Sequence, residues 1–150
     1  MEKTRVIHYM TKILVDIMFY GGIVACFVLP FVLPTLMKVS GIPMTFRMPY
    51  TLILLSAGMC SIYIVYQLKC MLKTLLGGKP FVIQNVSCLR KCAVASALIA
   101  GIFIVRLCFW ITIASSIIVV IFALLSLFSI VIKDLFKQAV AYKEETDWTV

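Results

Sequence analysis

Residues 92–132 carry a single formal charge, that of Arg106, and this long apolar stretch constrains the fold more than any other feature of the chain. As one helix it would be about 60 Å long at about 1.5 Å per residue, twice the roughly 30 Å hydrocarbon core of a bilayer. The stretch must therefore cross a membrane twice. We predict its turn at residues 110–116, where Trp110 and the hydroxyls of Thr112 and Ser115 suit the membrane boundary.

Two further stretches, residues 13–37 and 50–68, are also long and apolar enough to cross a bilayer as helices. With spans at 92–112 and 113–132, they predict an all-α integral membrane four-helix bundle, in one transmembrane domain over residues 1–150. Composition agrees, because 63% of the residues are hydrophobic and the mean hydropathy is +1.12. Too little of the chain remains for an independent catalytic domain.

Basic residues cluster on one side of the predicted membrane. Of the 14 lysines and arginines, three precede the first span, five lie between the second and third, and three follow the fourth. The other two connections hold only Lys38 and Arg47. The positive-inside rule therefore predicts that the N-terminus and the C-terminus are both cytoplasmic. The net charge of +8 then indicates contact with anionic lipids of the inner leaflet, rather than direct binding of nucleic acid.

Small residues are the expected contact points between helices, because helices in lipid associate through close backbone approach. Ala93, Ala97 and Gly101 follow one another at four-residue spacing in the third span. We predict that they pack against another span of the same chain, with a homodimer contact as the alternative. The expected counterparts are the small residues of the first two spans: Gly21, Gly22, Ala25, Ala57, Gly58 and Ser61.

The first span contains two prolines, Pro30 and Pro34, near its outer end. Each removes a backbone donor and perturbs the preceding turn. We therefore expect the helix to kink or end there, either as a packing bend or as part of a gate.

Two ionisable residues lie within the predicted spans, and such residues are functional candidates by default. Arg106 lies about 9 Å from the outer end of its span, so its guanidinium can snorkel to water, form a structural hydrogen bond or bind a ligand or ion. Asp16 lies near the cytoplasmic edge of the first span, where Lys12 is the expected partner at i,i+4 spacing.

The six cysteines and the single histidine, His8, form no catalytic or metal-binding pattern. A membrane thiol oxidase needs a Cys-x-x-Cys pair, whereas the closest cysteines, Cys88 and Cys92, are four residues apart on the side where thiols stay reduced. We therefore predict no catalytic residue, no metal site, no cofactor and no enzymatic activity.

Two polar segments lie on the predicted cytoplasmic side and have opposite charge. The first is a basic hairpin, residues 69–91, in which Gly77 and Gly78 end one helix and Asn85 caps the next, beginning at Val86. The second is an acidic tail, residues 139–150. Their opposite charges predict an intramolecular latch, with a solvated free tail as the alternative.

These same two segments resemble a known family. Residues 75–81 read Leu-Leu-Gly-Gly-Lys-Pro-Phe and are followed by Asn85, Leu89 and Arg90, which is similar to the loop of the bacterial family called domain of unknown function 2975 (DUF2975). The acidic tail resembles the C-terminal end of that family, although Trp148 stands where an aliphatic residue is expected.

The resemblance extends over the whole chain. It implies four spans in a bacterial cytoplasmic membrane, with both termini in the cytoplasm. It implies no established activity, but it implies an association with small helix-turn-helix DNA-binding regulators. We therefore expect a non-enzymatic protein that signals by binding or sequestering such a regulator at the hairpin and tail. The candidate contacts are Lys79, Phe81, Asn85, Arg90, Glu145 and Asp147. The alternative is a small transporter or export subunit that uses Arg106 and the Pro30/Pro34 kink.

Overall fold

The computed structural model describes residues 2–41, 43–77, 82–109 and 111–148, with side chains described between Tyr9 and Thr146. It contains four long helices: α1 (Glu2–Val39), α2 (Arg47–Leu76), α3 (Ile83–Phe109) and α4 (Ile113–Trp148). A short 3-10 helix (Met44–Phe46) joins α1 to α2, and no strand occurs in the described ranges. All four helices are long and apolar enough to cross a membrane, which confirms the predicted fold class.

The helices are longer than the predicted spans because hydropathy marks only the part suited to the bilayer. The 36 residues of α4 measure about 54 Å, well beyond the hydrocarbon core. The turn between α3 and α4 falls where it was predicted and is short. There the carbonyl of Thr112 accepts hydrogen bonds from the backbone N–H groups of Ser115, at 3.0 Å, and Ser116, at 3.2 Å.

Of the two expectations for the prolines, a kink stays a prediction, whereas an end of the helix is wrong, because α1 continues through Pro30 and Pro34 to Val39. Packing explains its persistence. Leu33 and Met37 are each only 1% exposed and pack against Tyr50 and Leu54 of α2. The helix ends at Val39, two residues before Gly41, whose positive φ of 67° favours a glycine.

Successive helices are antiparallel and pack in chain order. α3 packs on both α2 and α4, and α2 also packs on α1, whereas α1 packs on no other long helix within the described ranges. As a result, 44% of the α3 span is buried, compared with 6% of the α1 span. We call the end with the start of α1 and the end of α4 the terminal end, and the other the turn end.

The main core lies between α2 and α3, and α4 covers it with partly buried residues. Its buried members are Ala57, Ile64, Cys92, Ala95, Ile99 and Phe103. At the terminal end a second cluster joins Met71 of α2 to Cys88 and Leu89 of α3, against Phe136 of α4. The two clusters make α2, α3 and α4 one packed unit.

The predicted packing face of α3 is only partly correct. Ala93 is buried, and its carbonyl accepts a hydrogen bond of 2.9 Å from the Ser126 hydroxyl of α4. Ala97 and Gly101 are exposed, so they make no tight contact within the chain. Four-residue steps drift around a helix of 3.6 residues per turn, so the stripe leaves the interface after Ala93. A contact of the exposed residues with a second copy stays a prediction.

Two glycines of the first two spans contact the neighbouring helix at the α1–α2 interface, and not the small residues of α3 for which they were expected as counterparts. The Cα of Gly58 lies so near Cys26 that a Cβ atom there would be 2.6 Å from its Sγ, and a Cβ on Gly22 would be 3.3 Å from Cγ1 of Ile62. Gly21 faces open space. Close backbone approach therefore holds α1 on α2.

Candidate functional site

Arg106 is the centre of a buried polar cluster at the turn end. It belongs to the last turn of α3 and is only 7% exposed. Its Nη1 donates a hydrogen bond to the Ser115 hydroxyl of α4, and its Nη2 donates one to the Tyr50 hydroxyl of α2. The guanidinium carbon also lies 4.5 Å from the centre of the Tyr50 ring and 5.7 Å from that of Phe103. One side chain thus links three helices.

This geometry corrects one of the expectations for Arg106. The guanidinium does not snorkel to water, because two hydroxyls within reach satisfy it inside the protein. Its Nε is buried without a hydrogen-bond partner among the described residues. A structural hydrogen bond is therefore present, while a ligand or ion at the free N–H stays a prediction.

Asp16 pairs with a residue that sequence spacing did not suggest. Its Oδ1 lies 2.8 Å from Nζ of Lys69 on α2, rather than near Lys12 on its own helix. The same ammonium group lies 5.3 Å from the ring centre of Phe19 and 5.6 Å from that of Tyr20. The antiparallel packing of α1 on α2 explains the change of partner, because it places the end of α2 beside the start of the α1 span.

Asp16→Asn should lower the free energy of unfolding slightly, because it leaves Lys69 without its counter-ion in a partly exposed pair. A titration of the detergent-solubilised protein with a denaturing detergent would measure the loss. Lys12→Gln is the matched control and should have no effect. An equal loss from Lys12→Gln would contradict the assignment of the pair.

The basic hairpin is described only in part. Lys79 and Phe81 lie outside the described residues, so nothing is said of their placement. α3 begins at Ile83, three residues before the predicted start, and Asn85 lies in its first turn instead of capping it. The Asn85 side chain is fully buried and its Oδ1 accepts a hydrogen bond of 2.6 Å from the Thr74 hydroxyl of α2. It is therefore removed from the candidate contact surface.

The two remaining described candidates are exposed but well separated. Arg90 lies about two turns into α3 and shares a groove with Lys133 of α4. Glu145 lies twelve residues beyond Lys133 on the same continuous helix, which is about 18 Å along its axis. The Asp147 side chain lies outside the described residues. The latch between hairpin and tail therefore stays a prediction.

Sequence analysis missed the partners that define these sites: Tyr50, Ser115 and Lys69. Tyr50 is 56 residues from Arg106 in the chain, so no local spacing connects them. The available signal was their position, since Tyr50 starts one apolar stretch and Ser115 lies in the predicted turn. All six cysteines are free thiols, and no group of three potential metal ligands occurs in the described part of the chain.

The comparisons with known proteins bear on the family alone. A search of the curated proteins and a search of the solved structures each give no significant match. The sequence model of a family described as "Protein of unknown function (DUF2975)" matches residues 41–150. The match covers α2, α3 and α4 and does not include the first 40 residues, whereas the resemblance was expected over the full length. The chain belongs to the DUF2975 family.

Proposed function

We propose that this protein is a non-enzymatic, multi-pass protein of the bacterial cytoplasmic membrane that signals by holding a cytoplasmic partner at its terminal end. The proposal includes the cytoplasmic placement of both termini, which the distribution of basic residues supports. The partner class is a DNA-binding regulator of the helix-turn-helix type.

The observation that carries the proposal is the projection of α4. The helix continues for about 24 Å beyond the predicted end of the last span at residue 132. Leu135 and Tyr142 lie seven residues apart, hence on the same helix face, and are 58% and 70% exposed. Exposed apolar side chains on a projecting helix are suited to anchor a protein partner.

Charge supports the choice of partner class. Glu144 and Glu145 follow Lys143, which is next to Tyr142, and Asp147 adds a third acidic side chain. A DNA-binding surface is basic, because it must neutralise phosphates. An acidic helix end that covers such a surface would compete with DNA, so the regulator held at the membrane would not reach its operator.

A photoreactive residue at position 142, introduced in cells, tests the proposal. We expect it to crosslink a soluble DNA-binding regulator, identified by mass spectrometry, and Glu144→Lys with Glu145→Lys should reduce the yield at least about tenfold. The same probe at Ile113, 81% exposed at the turn end, is the matched control and should capture no cytoplasmic protein. Capture of lipid or membrane proteins alone from position 142 would overturn the proposal.

The alternative function, transport, has less support. The intramembrane charges form two separate sites at opposite ends of the fold, Arg106 between α2, α3 and α4, and Asp16 with Lys69 between α1 and α2. A substrate path normally has several polar groups in succession. Replacing the exposed residues 141–146 by an unrelated helical sequence discriminates the two functions, because transport would survive it and partner capture would not.

A further inference from the structure

We infer that the groove between α2 and α3 at the terminal end is a binding site for one anionic phospholipid, with its phosphate at Arg90 and Lys91 and one acyl chain along the groove. The groove has a volume of about 520 Å³. The inference concerns residues outside the α4 surface and does not depend on the proposed function.

Polar residues are confined to one end of this groove. Ser87, Arg90 and Lys91 are exposed and lie at i, i+3 and i+4, so they share one face of α3. The three groups offer a hydroxyl, a planar guanidinium and an ammonium within about one helical turn. This is the donor set that a phosphate diester accepts.

Neither cation of this groove has an ion-pair partner among the residues that the structure describes. Arg90 and Lys91 differ in this from Lys69 and Lys133, which pair with Asp16 and Asp134. The sequences of α2 and α3 contain no aspartate or glutamate. A ligand in the groove would therefore meet positive charge without competing carboxylates, and charge complementarity selects an anion.

The rest of the groove is apolar and extends in the direction of the membrane interior. Val94 and Leu98 continue the face of α3 and are 56% and 55% exposed, and Met59 and Tyr63 form the opposite wall on α2. From Ser87 to Leu98 the groove is about 16 Å long, close to the thickness of one leaflet of the hydrocarbon core. A ligand with an anionic head and a chain of that length is a phospholipid.

Another basic groove at the terminal end differs from this one in its charges. It lies between α1 and α2, has a volume of about 490 Å³ and contains Lys12 and Lys73. It also contains Asp16, which engages Lys69 and would repel a phosphate. Among the described residues, the lining of the α2–α3 groove differs from this groove in having no carboxylate and no ion-paired cation.

Native mass spectrometry of the full-length protein tests the inference. The protein is exchanged in detergent micelles against phosphatidylglycerol and phosphatidylcholine with identical acyl chains. We expect one retained phosphatidylglycerol per chain, in at least about tenfold preference over phosphatidylcholine. Arg90→Gln with Lys91→Gln should remove that preference, whereas Lys137→Gln with Lys143→Gln, which changes the net charge equally on exposed α4 positions, should keep it.

A second variant distinguishes lipid binding in the groove from a general attraction of anionic lipid to a basic protein. Leu98→Trp fills the apolar part of the groove without changing any charge, and we expect it to reduce retention at least about fivefold with unchanged helix content. Millimolar inorganic phosphate should not displace the lipid, because phosphate lacks the acyl chain. The inference is overturned if both charge variants act equally, if Leu98→Trp retains the lipid, if phosphate alone displaces it, or if a second copy of the chain occupies the groove.

Discussion

Tyr50→Phe combined with Ser115→Ala should destabilise the protein by roughly 3–5 kcal/mol, because it leaves the guanidinium of Arg106 buried without either of its described hydrogen-bond partners. Hydrogen bonds to a charged group each contribute roughly 1.5–3 kcal/mol, and Arg106 is too buried for water to replace them in place. Unfolding in mixed micelles, followed by circular dichroism, measures the loss of stability.

The control for this prediction removes the charge itself. Adding Arg106→Met to the double variant should recover at least half of the lost stability, because an apolar side chain of similar volume needs no hydrogen bonds. If the triple variant is instead less stable than the double variant, Arg106 stabilises the protein in some other way than by these two bonds. Double-mutant cycles would then measure how much each residue contributes to the loss of stability.

Gly58→Leu should release α1 from α2, with a loss of about 2–3 kcal/mol. Even a Cβ atom at position 58 would be 2.6 Å from Sγ of Cys26, so a larger side chain must push the helices apart. Because α1 packs on no other long helix in the described ranges, no second interface compensates. Spin-label distances between the two helices would show the separation, and the free energy of unfolding its magnitude.

Two matched variants make the Gly58 prediction specific. Gly21→Leu lies in the same pair of helices but faces open space, so we expect a change below about 0.5 kcal/mol. Gly58→Ala with Cys26→Ala should be more stable than Gly58→Ala alone, since the clashing sulfur atom is gone. A similar loss from Gly21→Leu would show that glycine matters here for the backbone of the helix and not for the contact.

The spans and the turn near Trp110 could be predicted because a bilayer imposes a fixed length on apolar stretches. The partners of the charged residues could not. Arg106 and Asp16 were recognised as unusual, but Tyr50 and Lys69 meet them only once helices distant in the chain are packed. Local spacing favoured Lys12, which lines the same groove as Asp16, yet the ion pair forms with Lys69.

The small residues show the same limit from the other direction. Gly22 and Gly58 lie at the α1–α2 interface, beside Ile62 and Cys26, although they were expected opposite α3, whereas Ala97 and Gly101 are exposed. Whether a small residue lies at an interface depends on the rotation of its helix about its own axis. That rotation is set by the whole packed surface, and four-residue spacing alone does not determine it.

The length of α4 has a mechanical consequence. Its sequence contains neither glycine nor proline, so nothing in it acts as a hinge between Ser115 beside the guanidinium and Tyr142 on the projecting face. The two residues are about 40 Å apart on one continuous rod. A rotation of α4 about its axis at the turn end is therefore transmitted to the terminal end. The hydrogen bond between Ser115 and Arg106 and the position of Tyr142 are thus coupled.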